Sequence, residues 1–173
     1  MNSDKRIRLL TLTGMLTALT TVATIVIQIP SVATKGYINL GDTIVNISAW
    51  ILGGLYGGFA GGVGSALADI IIGYAVYAPA TLVIKFFMAF CCFNVYNACS
   101  KKFSSLTARI ISVAASELIM ITGYSIFAGF MYGSVQSALL SIPDNAAQGI
   151  MGAVFAVVLY ECILKRVPAI KHK

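Results

Sequence analysis

Charge is what this sequence has least of. Its 173 residues include twelve Lys and Arg and six Asp and Glu, so 10% are charged against 58% hydrophobic, with a mean hydropathy of +0.89. Soluble domains carry roughly a quarter charged residues, which rules out water as the solvent for most of this surface and leaves a bilayer. The single histidine, His172, lies in the tail, and Cys91, Cys92, Cys99 and Cys162 form no CxxC or Cys/His zinc spacing. No metal site is therefore expected, and the cysteines read as small apolar residues within helices. The glycine-rich stretch is not followed by Gly-Lys-Ser/Thr. That excludes a Walker A loop, so this polypeptide is not itself an ATP-consuming unit, and no cofactor is expected.

What the sequence does have is long apolar runs separated by turn signals. A helix hides its own backbone polar groups from lipid and needs about 20 residues per crossing. The runs predict an all-α, multi-pass membrane protein, a single integral domain over 1–173 with helices at 8–29, 43–55, 57–73, 79–100, 106–132 and 143–165. The first run, from Leu9 to Ile29 behind Lys5, Arg6 and Arg8, begins like a signal peptide. It is too long for such an apolar core, and a retained first helix is expected.

The cations fix an orientation. Lys5, Arg6 and Arg8, then Lys101, Lys102 and Arg109, then Lys165, Arg166, Lys171 and Lys173 all fall on one side of the predicted spans, and the opposite loops hold only Lys35. Basic residues near span ends stay on the cytoplasmic side, so both termini are expected there. The cations flank apolar spans and form no continuous stripe, so nucleic acid is not an expected partner.

From Gly53 to Ala66, small residues recur every fourth position along two ladders, Gly53, Gly57, Gly61 and Ser65 beside Gly54, Gly58, Gly62 and Ala66. This spacing predicts close helix packing, which matters where lipid removes the hydrophobic drive to associate. Gly14 and Ala18 repeat the pattern in the first helix, where packing within the chain and docking of another membrane subunit are both open.

Ionisable side chains inside a bilayer normally face a cavity or a partner. Helical spacing places Asp42, Asn46 and Trp50 on one stripe, Thr81 and Lys85 on a second, Glu117, Met120 and Tyr124 on a third, and Asn145, Gln148 and Gly152 on a fourth. Together with Asp69 they lie in the outer half, and such a pocket suits a small heteroaromatic ligand held by hydrogen bonds and aromatic faces. A Lys85 to Glu117 or Lys85 to Asp69 ion pair that merely joins helices is the alternative. Lys85→Ala and Asn145→Ala are expected to weaken binding without unfolding the chain. Tyr74 and Tyr77 read as aromatic-belt residues or as a lid over the pocket mouth. Asp144, after Pro143, reads as a first-turn cap or a ligand contact, and Glu161 with Lys165 reads as an i,i+4 pair at the interface.

The segment Gly36-Tyr37-Ile38-Asn39-Leu40-Gly41-Asp42, the glycine ladder, Ala68-Asp69, Ala78-Pro79-Ala80-Thr81-Leu82-Val83-Ile84-Lys85, and Pro143-Asp144-Asn145 with Gln148-Gly149 together resemble the S components of energy-coupling factor (ECF) vitamin transporters. Within these, the chain looks most like the riboflavin, hydroxymethylpyrimidine and vitamin B6 group. The resemblance implies a bundle of six transmembrane helices in a bacterial cell membrane, with ligand enclosed on the outer side by Asn39, Asp42, Lys85, Glu117, Asn145 and Gln148 and by the first loop, which includes Tyr37. It further implies a transmembrane coupling protein and two ATPase subunits as partners, against which the S component topples. Gly14 and Ala18 would replace the usual Ala-x-x-x-Ala contact with that coupling protein.

The ligand expected first is vitamin B6 or hydroxymethylpyrimidine, with riboflavin next, because a phosphorylated molecule would call for several cations. Two other function classes compete with this reading. A gradient-driven carrier or channel would use Asp69 or Glu117 as a proton relay or lining group. An intramembrane enzyme would lack both a nucleophile with its base and an intramembrane histidine.

Overall fold

The apolar runs form six helices in a computed structural model that describes residues 3–30 and 37–167. Along the chain these are α1 (Ser3–Val26), a hairpin of β1 (Gln28–Pro30) and β2 (Tyr37–Asn39), α2 (Gly41–Leu52), α3 (Gly54–Ile71), α4 (Ala78–Cys99), α5 (Ser105–Tyr132) and α6 (Val135–Cys162), with a closing 3-10 turn at Leu164–Arg166. Gly36, Lys35, Lys171, His172 and Lys173 lie outside the described residues.

The first helix does not reach residue 29 as expected. Pro30 disfavours helical geometry at the residue before it, and Gln28 to Pro30 instead pair antiparallel with Asn39 to Tyr37. The second break falls at Gly53, whose φ of 89° lies where glycine alone is unstrained. The sixth helix begins at Val135 rather than 143. Gly133 ends α5 in the left-handed conformation, and the Ser134 hydroxyl accepts from the Gln136 backbone N–H to cap α6. Pro143 therefore lies inside α6, and the first-turn cap expected of Asp144 does not exist.

Four helices, α1, α4, α5 and α6 with its closing turn, are long and apolar enough to cross a membrane. Their outward faces carry Phe87, Leu118, Ile126, Phe130, Ile150 and Val154, all exposed. Water would reject such a surface; lipid does not. Helix α2, only 12 residues long, spans about 18 Å, short of a hydrocarbon core of about 30 Å. Every residue of α2 except Ile51 is buried, so it is the bundle's central strut.

The two small-residue ladders divide their work. A Cβ on Gly57 would lie 2.8 Å from the Ala49 Cα, and one on Gly61 would lie 2.9 Å from Val45, so the first ladder faces α2. On Gly58 and Gly62 it would lie 2.7 Å from Phe86 and 2.6 Å from the Leu82 carbonyl, so the second faces α4. Gly64 meets α1 in the same way, and there Thr21 donates to the Gly64 carbonyl at 2.8 Å. Close backbone approach is what joins helices where burial of apolar surface no longer discriminates.

The amino end of α1 and the carboxyl end of α6 share one end of the bundle, with the α4–α5 turn; the hairpin closes the other. At the shared end Arg109, read from the sequence as one of the cations on the cytoplasmic side, is 5% exposed. Its guanidinium lies 3.9 Å from the Tyr160 ring centroid and 5.2 Å from that of Tyr96, and it pairs with Glu161. Glu161 also holds Lys165 at 2.8 Å, the i,i+4 pair read from the sequence.

Candidate functional site

Between the hairpin and the upper turns of α3 to α6 lies a cavity of about 60 Å3. Its roof is Tyr37, Tyr74 and Tyr77, and its walls include Asp69, Thr81, Tyr124, Ser141, Asp144 and Asn145. Asn39 and Gln148 form the floor. Six separate segments supply these groups, β2, α3, the turn after it, α4, α5 and α6, which is why their convergence needs the fold.

The floor is held by a buried polar network. The Gln148 side-chain oxygen accepts from the Asn39 backbone N–H at 3.0 Å and from Asn39 Nδ2 at 3.2 Å, and Gln148 Nε2 donates to Asp42 Oδ2 at 2.8 Å. Asn39 Oδ1 in turn accepts from the Gly41 N–H at 2.8 Å, fixing the turn into α2. Beneath this layer Lys85 pairs with the other Asp42 oxygen. Neither the Glu117 nor the Asp69 partner expected for Lys85 is the one it takes. Glu117 Oε1 accepts from Asn46 Nδ2 at 2.8 Å, and Asn46 Oδ1 accepts from the Ser116 hydroxyl at 2.8 Å. Gly149 and Gly152 make room for this arrangement, since a Cβ at Gly152 would lie 2.7 Å from that of Asp42.

Of the residues read as pocket-lining, Asn39, Tyr124, Asn145 and Gln148 border the cavity. Asp42, Asn46, Lys85 and Glu117 form the layer below, and Asp42 and Asn46 are fully buried. Trp50 does not border this cavity. Eight residues along α2 carry it about 12 Å toward the basic end, where its Nε1 donates to the Ser112 hydroxyl at 3.2 Å and its ring packs edge-on against Tyr160.

The lid is a chain of rings. Tyr37 and Tyr74 meet edge-on at 5.0 Å, Tyr74 and Tyr77 at 6.0 Å, and the Tyr77 and Tyr132 hydroxyls bond at 3.2 Å. The Tyr37 hydroxyl donates to Asp69 Oδ1 at 2.6 Å, so the hairpin is latched to α3. Burial, then the neighbouring Asp69 carboxylate, pushes the Tyr37 phenol above the ordinary tyrosine value, and burial with the Tyr132 bond does the same for Tyr77. Both stay neutral at physiological pH.

Sequence reasoning gave Asp69 no definite role and passed over Ser141 entirely; Thr81 appeared only as a companion of Lys85. Tyr124 donates to the Thr81 hydroxyl at 2.9 Å, and the Ser141 hydroxyl donates to that of Ser125 at 3.1 Å. The spacing of Ser141, Asn145 and Gln148 at i, i+4 and i+7 marks one face of α6, but that signal becomes visible only once α6 is known to begin before Pro143.

The fold agrees with what comparison finds. Against solved structures, the chain matches an S component of a bacterial ECF transporter with a TM-score of 0.70 at 18% identity, covering 92% of this chain and 97% of that one. An S component for biotin from an ECF-type ABC transporter matches with a TM-score of 0.67 at 19% identity, covering 93% and 95%. An uncharacterised Pyrococcus woesei protein is 34% identical over 147 residues, 85% of this chain and 95% of its own length. The family model for the ECF-type riboflavin transporter S component matches residues 4–165, and the chain belongs to that family of substrate-binding membrane subunits.

Proposed function

We propose that the chain captures a small heteroaromatic vitamin or vitamin precursor from outside the cell and delivers it through a partner complex. The observation carrying this reading is the roofed cavity at the end of the bundle opposite Lys5, Arg6, Arg8, Lys101, Lys102 and Lys165. Cations of that kind remain cytoplasmic, so both termini lie inside and the tyrosine lid faces out. Asn39, Asn145 and Gln148 offer amide groups to a ring's heteroatoms, and Tyr37, Tyr74, Tyr77 and Tyr124 offer ring faces and hydroxyls. Asp42, Asn46, Lys85 and Glu117 hold the floor in place. Trp50 has no part in binding.

At about 60 Å3 the cavity is far below the roughly 300–1,000 Å3 of ordinary ligand pockets. Entry therefore requires the hairpin and the Tyr74 to Tyr77 turn to swing outward, which breaks the Tyr37 to Asp69 latch. A compact pyridine or pyrimidine, such as vitamin B6 or hydroxymethylpyrimidine, fits a modest opening better than riboflavin, the ligand in the matching family's description.

Delivery calls for an ECF coupling protein and two ATPases, since no phosphate loop exists here. Gly14 and Ala18 on the exposed face of α1 are the contact we assign to that coupling protein, and toppling of the whole bundle in the bacterial membrane is the motion. Mass spectrometry of the small molecule released on denaturing the purified chain tests the reading; recovery of a heteroaromatic vitamin supports it, and recovery of none, with no binding by added vitamins, overturns it. Uptake that survives loss of the ATPases but collapses with a protonophore would identify a gradient-driven carrier instead.

A further inference from the structure

Charge is unevenly distributed around the cavity. Among the described residues the outer half holds four carboxylates, Asp42 on α2, Asp69 on α3, Glu117 on α5 and Asp144 on α6, against the single ammonium of Lys85 on α4. That ammonium is already committed to Asp42. The charged groups that border the cavity are Asp69 and Asp144, and no Lys, Arg or His joins them among the described residues.

Asp69 is the decisive group. It is 4% exposed, Tyr37 occupies its Oδ1 at 2.6 Å, and its Oδ2 is buried without a hydrogen-bond partner among the described residues, with the nearby Thr81 hydroxyl and the Lys85 ammonium the groups that ease its charge. A buried carboxylate oxygen left without a donor is costly. Here it borders a cavity whose other walls are the rings of Tyr37, Tyr74, Tyr77 and Tyr124. Aromatic faces attract cations, and Lys85 already sets its ammonium 5.2 Å from the Tyr124 ring centroid.

We infer that the cavity selects a positively charged ligand, a small aromatic ring bearing an ammonium or a cationic ring nitrogen, with Asp69 Oδ2 as its counter-ion and the tyrosine rings as its cage. This rests on the reading of the cavity as a heteroaromatic site and adds its charge class. A neutral ring brings no charge to Asp69 Oδ2, and a phosphorylated one sets its anion against the Asp69 carboxylate.

The test compares three ligands that share one pyridine ring and, separately, one cationic and one neutral vitamin of other ring types. Purified full-length chain in detergent at pH 7 is titrated calorimetrically with pyridoxamine (ammonium), pyridoxine (neutral) and pyridoxal 5′-phosphate (anionic), and separately with thiamine (cationic) and riboflavin (neutral). We expect each cation to bind at least tenfold tighter than its neutral counterpart, and the phosphate ester to bind weakest. Asp69→Asn, which keeps an acceptor for Tyr37, should erase the preference, the cationic ligand losing at least tenfold more affinity than the neutral one. Pyridoxine binding as tightly as pyridoxamine, with riboflavin as tight as thiamine, overturns the charge rule and spares the site. Equal weakening of both classes by Asp69→Asn overturns the counter-ion role. Saturation by no ligand overturns the site and its charge rule together.

Discussion

Lys85→Met removes the ammonium that faces Asp42 and leaves a carboxylate that is 0% exposed, with Gln148 Nε2 as its remaining side-chain donor. Breaking a buried ion pair from one side costs about 3–5 kcal/mol, because the surviving charge is stranded. For a chain of this size each kcal/mol moves the melting temperature by about 2–4 °C, so a fall of about 6–20 °C is expected. The sequence alone pointed the other way, to a Lys85 whose loss weakens binding without unfolding. The geometry makes it a strut beneath the floor. Lys85→Met/Asp42→Asn removes both charges and keeps an acceptor for Gln148, and it should recover at least half of the lost stability. Thermal unfolding in detergent micelles, followed by Trp50 fluorescence, measures all three proteins. If Lys85→Met melts within 2 °C of wild type yet loses its ligand, the strut argument is wrong and Lys85 is a binding group.

Gly152→Ala places a methyl 2.7 Å from the Asp42 Cβ, so it should push α6 off α2 and cost about 1–3 kcal/mol, with weaker ligand binding, both read from melts and titrations. At Gly14 nothing lies within 4 Å of an added Cβ, so Gly14→Leu should leave folding and binding intact but reduce uptake by cells that contain the whole transporter. Arg109→Lys gives up the planar stack on Tyr160 and should cost about 0.5–2 kcal/mol with an unchanged Kd, since the site lies at the opposite end. The fold favours the neutral Tyr37 phenol, whose titration is raised, so that contribution to stability is complete below the unfolded tyrosine value near pH 10 and declines above it. Ligand dissociation should accordingly be flat from pH 7 to about 10 and quicken beyond, and Tyr37→Phe should show the faster rate at every pH.

Composition and periodicity alone determined the solvent, the helix count, the side on which the cations gather and the tight packing along Gly53 to Ala66, because each depends on local chain chemistry or on spacing along one helix. They also singled out most of the polar groups, since an Asp or Lys inside an apolar run is conspicuous wherever it points. Tertiary structure alone decided the pairings: Lys85 chose Asp42 over Glu117 and Asp69, Arg109 turned into an aromatic box, and Trp50 lay about 12 Å from the site its stripe implied. A pairing depends on which faces of different helices meet, and helical spacing within one segment carries no record of its neighbour's rotation. The hairpin and the early start of α6 were hidden for a related reason. Pro30 and Pro143 have the same local restrictions, yet one lies in a strand and the other inside a helix, and only the surrounding packing separates the two.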